Sequence, residues 1–528
     1  MRYLLYQGIT IAADSSPRRE AVRYTGDSLS YAELEERSNS LAHTLLSQGL
    51  GRGERVGIYM NKCLESAVAM YGIMKAGGAY VPLDPFAPVG RTGFVIQDCG
   101  IRHLVTSLAK LEAVRQILVQ ESPLEHLIGV PPQAELSLEC LDWEQVYQAP
   151  PHPPKLNLTE QDLAYILYTS GSTGTPKGIM HTHRSGLSFA EWAAAEYGLT
   201  AKDRLSNHAP LHFDLSTFDF FAGAIAGATT VIVPEALTKF PANMAKFMEE
   251  ERISVWYSVP FALIQLMQRG NLEKRDLSAL RWILFAGEVF PTKHLRELVG
   301  RLPAIRFSNL YGPTETNVCT YYHVDTLPAE GDETIPIGKP CANVEDLVVD
   351  LDDRPVKDGE VGELLIRGGV VMKGYWGQPE KTANGFYRRP AFDQFEDIFY
   401  RTGDLVQLDA GGNYRYLGRK DRQIKTRGYR VELDEVEVAL LSHPGVEEAA
   451  AYPVPDGQGS NLIESAVIPK AGANLGLEEL IAHITGRLPP YAIPVRVDFM
   501  SDFPRTSTGK INRRELQELA AARTGENS

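Results

Sequence analysis

Tyr168-Thr-Ser-Gly-Ser-Thr-Gly-Thr-Pro-Lys-Gly178 follows the short apolar run Leu163 to Leu167 and precedes Ile179-Met180-His181. Gly171, Gly174 and Gly178 let backbone N–H groups approach an anion, the hydroxyls of Thr169, Ser170, Ser172 and Thr173 add donors, and Lys177 adds a positive charge. The pattern predicts a phosphate-holding loop. It is not a Walker A loop, which needs a different glycine spacing and a hydroxyl directly after the Lys, where this chain has Gly178. A Ser/Gly linker is the alternative, and so dense a mixture of hydroxyls, glycines and one Lys argues against it.

The chain has 528 residues, too many for one ordinary core, so two or more domains are expected. Its 53 basic and 67 acidic residues leave a net charge of −14, which argues against a nucleic-acid partner because phosphate binding needs a basic face. Cys63, Cys99, Cys140, Cys319 and Cys341 are scattered without a C-x-x-C pair. Neither a zinc site nor a disulfide framework is therefore expected, and a reducing cytoplasm fits. Arg2-Tyr-Leu-Leu-Tyr6 begins like a signal peptide, but Gln7 and Asp14 interrupt it and no clean cleavage site follows, so it reads as an N-terminal helix. No run approaches ~18 uninterrupted apolar residues, and no membrane span is expected.

Working outward, Ser30 is an N-cap with Glu33 three residues on, opening a helix in which Leu34, Leu41, Leu45 and Leu46 recur at helical spacing. Val56-Gly-Ile-Tyr-Met60 reads as a buried strand, a helix runs through Ala67 to Lys75, and Gly77 to Asp84 is a turn into another strand. Such alternation argues an α/β domain with largely parallel sheet. Pro150-Pro-His-Pro-Pro154 is a stiff connector, at a subdomain joint or surface loop.

Further stretches carry chemistry-bearing residues. Asp214 lies among Phe213, Leu215, Phe218, Phe220 and Phe221, and a carboxylate in such company is paired, capping the helix that starts near Ser216, or waiting for a cationic ligand. Asp219 reads as structural, and His208 and His212, with no third ligand nearby, as packing or hydrogen-bonding groups rather than metal ligands. Ser254 to Pro260 and Arg281 to Glu288 read as strands whose carboxyl ends, with Ser258, Leu284 and Ala286, wall a pocket. Asn309-Leu-Tyr-Gly-Pro-Thr-Glu-Thr316 offers an aromatic, a rigid Gly-Pro turn, a hydroxyl and a carboxylate, and Tyr400-Arg-Thr-Gly-Asp-Leu405 a carboxylate beside a glycine turn. Gly418 to Gly428, dense in charge and glycine, reads as a domain boundary. The segments beyond it form a compact α+β unit, with Asp434 to Leu441 helical.

Tyr168 to Gly178 resembles the AMP-binding signature of the adenylate-forming (ANL) superfamily of acyl-CoA ligases, luciferases and peptide-synthetase adenylation domains, and the other motifs follow in that family's order. The resemblance implies an N-terminal AMP-binding domain over 1–420 and a mobile C-terminal lid over 421–528, hinged at Asp421. It places ATP on Thr169, Ser170, Gly171, Ser172, Thr173, Gly174 and Lys177. Tyr311 would lie against the adenine, with Asn309 and Gly312 beside it, and Thr314 would touch the α-phosphate. Glu315 would help hold Mg²⁺, Asp404 the ribose, and Arg419 the ribose or phosphates. Gly428 would line the passage for a phosphopantetheine arm, and Lys510 in Pro504 to Arg513 would be catalytic. In the reaction so implied, a substrate carboxylate attacks the α-phosphorus of ATP; the lid then rotates, withdrawing Lys510, and a thiol attacks the acyl carbonyl.

The family's substrate-pocket positions, carried onto this chain, give Asp214, Leu215, Phe218, Ser258, Leu284, Ala286, Leu310, Val318, Cys319 and Lys510. In that family the Asp of this motif holds the α-ammonium of an amino acid. The apolar remainder favours a small or medium apolar amino acid, and the set looks most like that of stand-alone prolyl-AMP ligases, which load proline onto a carrier protein. Phe218 and Ser258 depart from the Leu and Tyr of that subgroup, so valine or alanine stays open. No Leu-Gly-Gly-x-Ser motif follows Lys510, so a separate carrier is expected, with Arg513 and Arg514 either its contacts or a solvated helix start. The rival reading on the same fold is an acyl- or aryl-CoA ligase, against which Asp214 speaks; an inactive binding module is a third, opposed by Glu315, Asp404 and Lys510.

Overall fold

A computed structural model describes residues 2–171, 174–327, 333–457, 459–473, 475–505 and 511–525. Ser172, Thr173 and Lys510, each expected at the site, lie outside the described residues.

The helix expected after Ser30 is Tyr31–Ser47, and it starts there because the Ser30 hydroxyl accepts from the Glu33 N–H (3.2 Å) while Glu33 Oε2 accepts from the Ser30 N–H (2.8 Å). Leu34, Leu41 and Leu45 are buried, whereas Leu46 sits at the edge of the stripe and is half-buried. The neighbouring helix Leu64–Lys75 approaches closely at Gly72, where a Cβ would stand 2.8 Å from a Leu41 methyl. Gln7–Ser15 is the N-terminal helix read from the sequence.

Among the described residues, the N-terminal body is built on two large sheets of nine and eight strands and a third, antiparallel sheet of five. The eight-stranded sheet contains the buried strands Arg55–Tyr59 and Ala79–Pro82 in parallel, and next to them Leu163–Thr169, which turns back through the glycine-rich loop into Lys177–Thr182. The nine-stranded sheet runs Val255–Ser258, Trp282–Phe285 and Arg306–Tyr311 side by side in parallel, so their carboxyl ends open on one place. The third sheet carries the long strand Phe395–Leu408. Its Gly403 (φ +73°) is not at a turn, as the sequence suggested, but in a register shift against Val361–Gly368 that keeps the strand running past it.

Past Arg419 come the hairpin Gln423–Thr426/Tyr429–Glu432, the helix Leu433–Leu441 and a three-stranded sheet with its own core around Val436, Leu440, Ala451 and Leu480. The hairpin and the helix after it lean on the body: the Tyr429 ring of the hairpin meets Phe213 edge-on at 5.0 Å, and Glu435 of the helix pairs with Arg91. All five cysteines are unpaired, and no helix among the described residues is long and apolar enough to cross a membrane. Replacing Ser30 by Ala removes one half of the capping box and is expected to cost about 1 kcal/mol, read as a lower urea midpoint at unchanged m.

Candidate functional site

The glycine-rich loop lies between Thr169 and Lys177, which face each other across the antiparallel pair. Lys177 is therefore the first residue of the returning strand, and that strand turns its ammonium inward: buried, it sits 3.1 Å from Glu315 Oε1 and 4.9 Å from the centre of the Tyr375 ring. Gly171 and Gly174 are required where they stand, since a Cβ at Gly171 would fall 2.0 Å from the Thr175 carbonyl, and Gly174 (φ +79°) lies against Val438 of the following domain. The Ser170 hydroxyl donates to the Arg430 carbonyl (3.0 Å), while the Thr169 hydroxyl is buried with no hydrogen-bond partner at the wall of a cavity.

Glu315 is wholly buried. Oε1 accepts from the Tyr375 hydroxyl (2.9 Å) and Lys177, and Oε2 accepts from Arg430 Nη1 (2.9 Å). Burial alone would raise this carboxyl, but Arg430 and Lys177 outweigh it and hold it well below the usual carboxylate range. Burial, and then Arg430, bring Lys177 down to about 8. A single carboxylate of this kind suits Mg²⁺, which takes one or two carboxylates and completes its shell with substrate phosphates and water. Here, however, each of its oxygens is already taken by a donor, and no cluster of three or more ligating side chains occurs among the described residues.

A first cavity, of about 300 Å³, lies between Glu288, Asn309, Tyr311 and Asp404 of the body and Ile424 and Lys425 of the hairpin. Tyr311 donates to Asp404 Oδ2, and Arg419 Nη1 bonds Oδ1 at 2.7 Å. Burial raises the Asp404 carboxyl in spite of Arg419. Arg419 also grips Asp421 (2.6 and 2.8 Å), which ties the expected hinge to the expected ribose ligand. The Asn309 amide donates to the Pro336 carbonyl at 2.9 Å. Gly312 admits no side chain, since a Cβ would meet the Asn317 carbonyl at 1.9 Å.

A second, tighter cavity of about 90 Å³ adjoins the first through Gly287, Asp404 and Lys425, and its walls include Thr169, Asp214, Leu215, Tyr257, Ala286 and Val318. Asp214 precedes the short helix Leu215–Thr217 but makes no side-chain capping bond, which removes the capping alternative. Burial lifts its carboxyl above the ordinary value, offset in part by the Thr314 side chain and Lys425. Thr314 is itself fixed through its carbonyl, 2.9 Å from His181 Nε2, and burial brings His181 down to about 4, neutral at pH 7.

The structure corrects several wall residues. Ser258 faces the other way: in the parallel pairing Tyr257 stands opposite Leu284 and Ser258 opposite Phe285, so strand alternation puts Tyr257 on the face of Leu284 and Ala286. Ser258 instead accepts from Trp256 Nε1 (3.0 Å) and lines a third cavity. Phe218 is fully buried behind Tyr257, ring centres 5.4 Å apart. Leu284 and Cys319 are likewise buried, Cys319 with its thiol on the Tyr311 carbonyl (3.5 Å), and Leu310 lines the first cavity rather than the second. Tyr257 is missed by sequence reasoning because only the register against Trp282–Phe285 places it on the face of Leu284 and Ala286. Arg430, Lys425, Tyr375 and Glu288 were missed because nothing in their local sequence reports that they converge.

The third cavity, about 220 Å³, continues from the second past Phe213 and Leu215 toward the exposed Arg427. Gly428 (φ +87°) stands between the two: a Cβ there would lie 2.6 Å from a Val259 methyl, and its N–H donates to Glu288 Oε1 (2.7 Å). His208 packs on Trp256 and His212 on Phe213, as expected, and Asp219 accepts from Asn207 (3.0 Å). Arg513 is bound to Glu437 through two 2.8 Å bonds and is no free contact, whereas Arg514 is exposed beside Glu518.

The sequence profile of the AMP-binding enzyme family matches residues 9–376, and that of the AMP-binding enzyme C-terminal domain matches residues 435–510. The chain is 37% identical over 511 residues to an L-proline--[L-prolyl-carrier protein] ligase of Pseudomonas fluorescens, covering 97% of this chain and 98% of that one. It is 38% identical over 499 residues to a protein of the same name from Streptomyces coelicolor, covering 93% and 92%. In fold it is similar to the Vibrio cholerae adenylation domain AlmE, solved with glycyl-adenosine-5'-phosphate (TM-score 0.84, 22% identity, 98% of each chain). It is similar also to an amide bond synthetase from Marinactinospora thermotolerans (TM-score 0.86, 24% identity, 98% and 99%).

A buried hydroxyl without a partner destabilises the empty protein. Thr169→Val, which keeps the shape and removes the oxygen, is therefore expected to stabilise the unliganded protein by about 1 kcal/mol while weakening whatever the cavity binds. Thermal melts with and without nucleotide read both effects.

Proposed function

Because the chain belongs to the AMP-binding enzyme family, we propose that it is an AMP-forming ligase that uses ATP to activate a small apolar amino acid, L-proline first, and passes it to the phosphopantetheine thiol of a separate carrier protein. The observation that carries this reading is the second cavity. A carboxylate, Asp214, is set in a recess walled by Tyr257, Ala286 and Val318, and the recess opens on a cavity with an aromatic and a carboxylate suited to adenosine. Tyr257 supplies the aromatic that Ser258 lacked for the prolyl subgroup, and the near full-length relatives of that name support the same substrate.

Proline is a cation at its amine and an anion at its carboxylate at pH 7. Asp214 pairs with the amine, and the apolar walls exclude a second polar group. The carboxylate then needs no base: it is ionised, and its oxygen attacks the α-phosphorus as the bond to pyrophosphate breaks. Thr314, the backbone N–H groups of the glycine-rich loop and Lys510 bear on the charge that develops there. A Mg²⁺ held through Glu315 would neutralise phosphate charge when bound. In the second half-reaction the thiol sulfur forms the thioester bond, the acyl–phosphate bond breaks, AMP leaves and the thiol proton is lost. The docked hairpin, with Gly428 between the substrate recess and the third cavity, suits this second half-reaction, the third cavity being the passage for the arm. We divide the chain at Asp421, where Arg419 holds the hinge, into a body over 1–420 and a lid over 421–528, and place the protein in the cytoplasm, which its unpaired cysteines favour.

Proline-dependent ATP–pyrophosphate exchange is expected to exceed exchange with every other common amino acid; an even response across the panel rejects the assignment. Loading of holo-carrier but not of free CoA separates this reading from a CoA ligase. Asp214→Ala is expected to cut kcat/KM for proline by up to ~10⁴, and Tyr257→Ala to relax selection against larger side chains by roughly 10–200-fold.

Since burial raises the Asp214 carboxyl, it takes up a proton at higher pH than an exposed Asp. The KM for proline should accordingly climb as the pH is lowered through the mildly acidic range, and Asp214→Asn should abolish that dependence.

A further inference from the structure

We propose that Arg430 is a positioning residue that competes with the metal for Glu315, so that the docked hairpin and a metal–nucleotide complex cannot hold that carboxylate at the same time. The inference rests on the reading of Glu315 as a metal ligand and deepens it. Of the three groups on Glu315, two are carried by strands of the body. Lys177 is paired with Thr169 inside the eight-stranded sheet, and Tyr375 is paired with Ile179 in the same sheet. The third, Arg430, arrives from beyond Asp421 on the hairpin strand Tyr429–Glu432. It takes Oε2, the oxygen that neither body residue touches. A divalent cation brought to that oxygen would stand beside a guanidinium with almost no solvent between them, and one of the two must go.

The way Arg430 is held makes it the one to go. Its Nε is buried without a hydrogen-bond partner, and Glu432 lies 3.7 Å from Nη2, beyond hydrogen-bond reach. The ion pair with Glu315 is thus its principal side-chain attachment. The rest of the hairpin is fastened by contacts indifferent to a metal. Glu288 Oε1 accepts from the Gly428 N–H and the Ser460 hydroxyl, both at 2.7 Å, and Ser170 donates to the Arg430 carbonyl. The hairpin therefore has anchors away from Glu315, at Glu288, Ser170 and Phe213, and one metal-sensitive anchor, at Glu315. Linkage makes the effect reciprocal: whatever the metal does to hairpin docking, docking does to the metal.

The test compares wild type, Arg430→Lys and Arg430→Met in full-length protein. The dissociation constant of α,β-methylene-ATP is measured in EDTA and in Mn²⁺, and the ratio of the two is the gain due to metal. With the competing cation removed, that gain should rise in Arg430→Met by a factor of at least ~5, the lower range of measured couplings, with Arg430→Lys between Met and wild type. An equal gain in all three proteins overturns the proposal. Spin labels at Lys246→Cys on the body and Glu447→Cys on the lid give a second readout: their distance in otherwise wild-type protein should change when Mn²⁺ joins the nucleotide. No change overturns the proposal even if Arg430→Met fails to fold. Neither readout needs an amino acid or a carrier. A larger metal gain in Arg430→Met with no exchange on any amino acid would leave the competition standing and sink the activity, and the converse result would do the reverse.

Discussion

A carboxylate with no access to water must be paired, and the pairing of Glu315 ties this molecule together. Its partners come from three places in the chain: the strand after the glycine-rich loop, the short strand Gly374–Tyr375, and the hairpin that opens the C-terminal domain. Its own backbone carbonyl takes the Met372 N–H at 2.8 Å. Removing any one partner leaves a buried charge short of compensation, which is far more costly than never having buried it. The position of the hairpin, the inward turn of Lys177 and the packing of Tyr375 therefore depend on one another.

The same logic of burial organises the second carboxylate group. Asp404 is raised by burial and held by Arg419, and Arg419 is shared with Asp421 at the junction of the two domains. Through Arg419, Asp404 at the wall of the first cavity is tied to Asp421. Asp214 differs from both: no arginine and no side-chain capping bond holds it, and burial raises its carboxyl in spite of the Thr314 side chain and Lys425. Thr169, with its unpartnered hydroxyl on the same wall, is the neutral counterpart of that arrangement.

Geometry at the carboxyl ends of three parallel strands sets what the recess can hold. Because side chains alternate along a strand, the residues that reach the cavity are every second one, and a shift of a single position exchanges a tyrosine for a serine. Phe218 and Leu284 pack in one cluster with Tyr257 and back the wall, the Phe218 ring 5.4 Å from that of Tyr257.

Much was legible in the chain as written. The two-domain α/β organisation, the capping box at Ser30 and the buried strands Arg55–Tyr59 and Ala79–Pro82 follow from local patterns, because helical caps and strand runs are decided by neighbours in sequence, whereas Asp214, Tyr311, Glu315 and Asp404 stand out by their motifs and take their expected roles from the family resemblance. Which face of Val255–Ser258 meets the recess could not be read there, since the strand is apolar on both sides and only its register against Trp282–Phe285 breaks the tie. Nor could the meeting of Lys177, Tyr375 and Arg430 on Glu315, as these residues are separated by up to 253 positions in the chain and are joined only when two sheets and a hairpin close around one charge. Local sequence carries the chemical groups and the elements that bear them, whereas which face each strand shows and which cation reaches which carboxylate rest on register and burial between segments far apart in the chain.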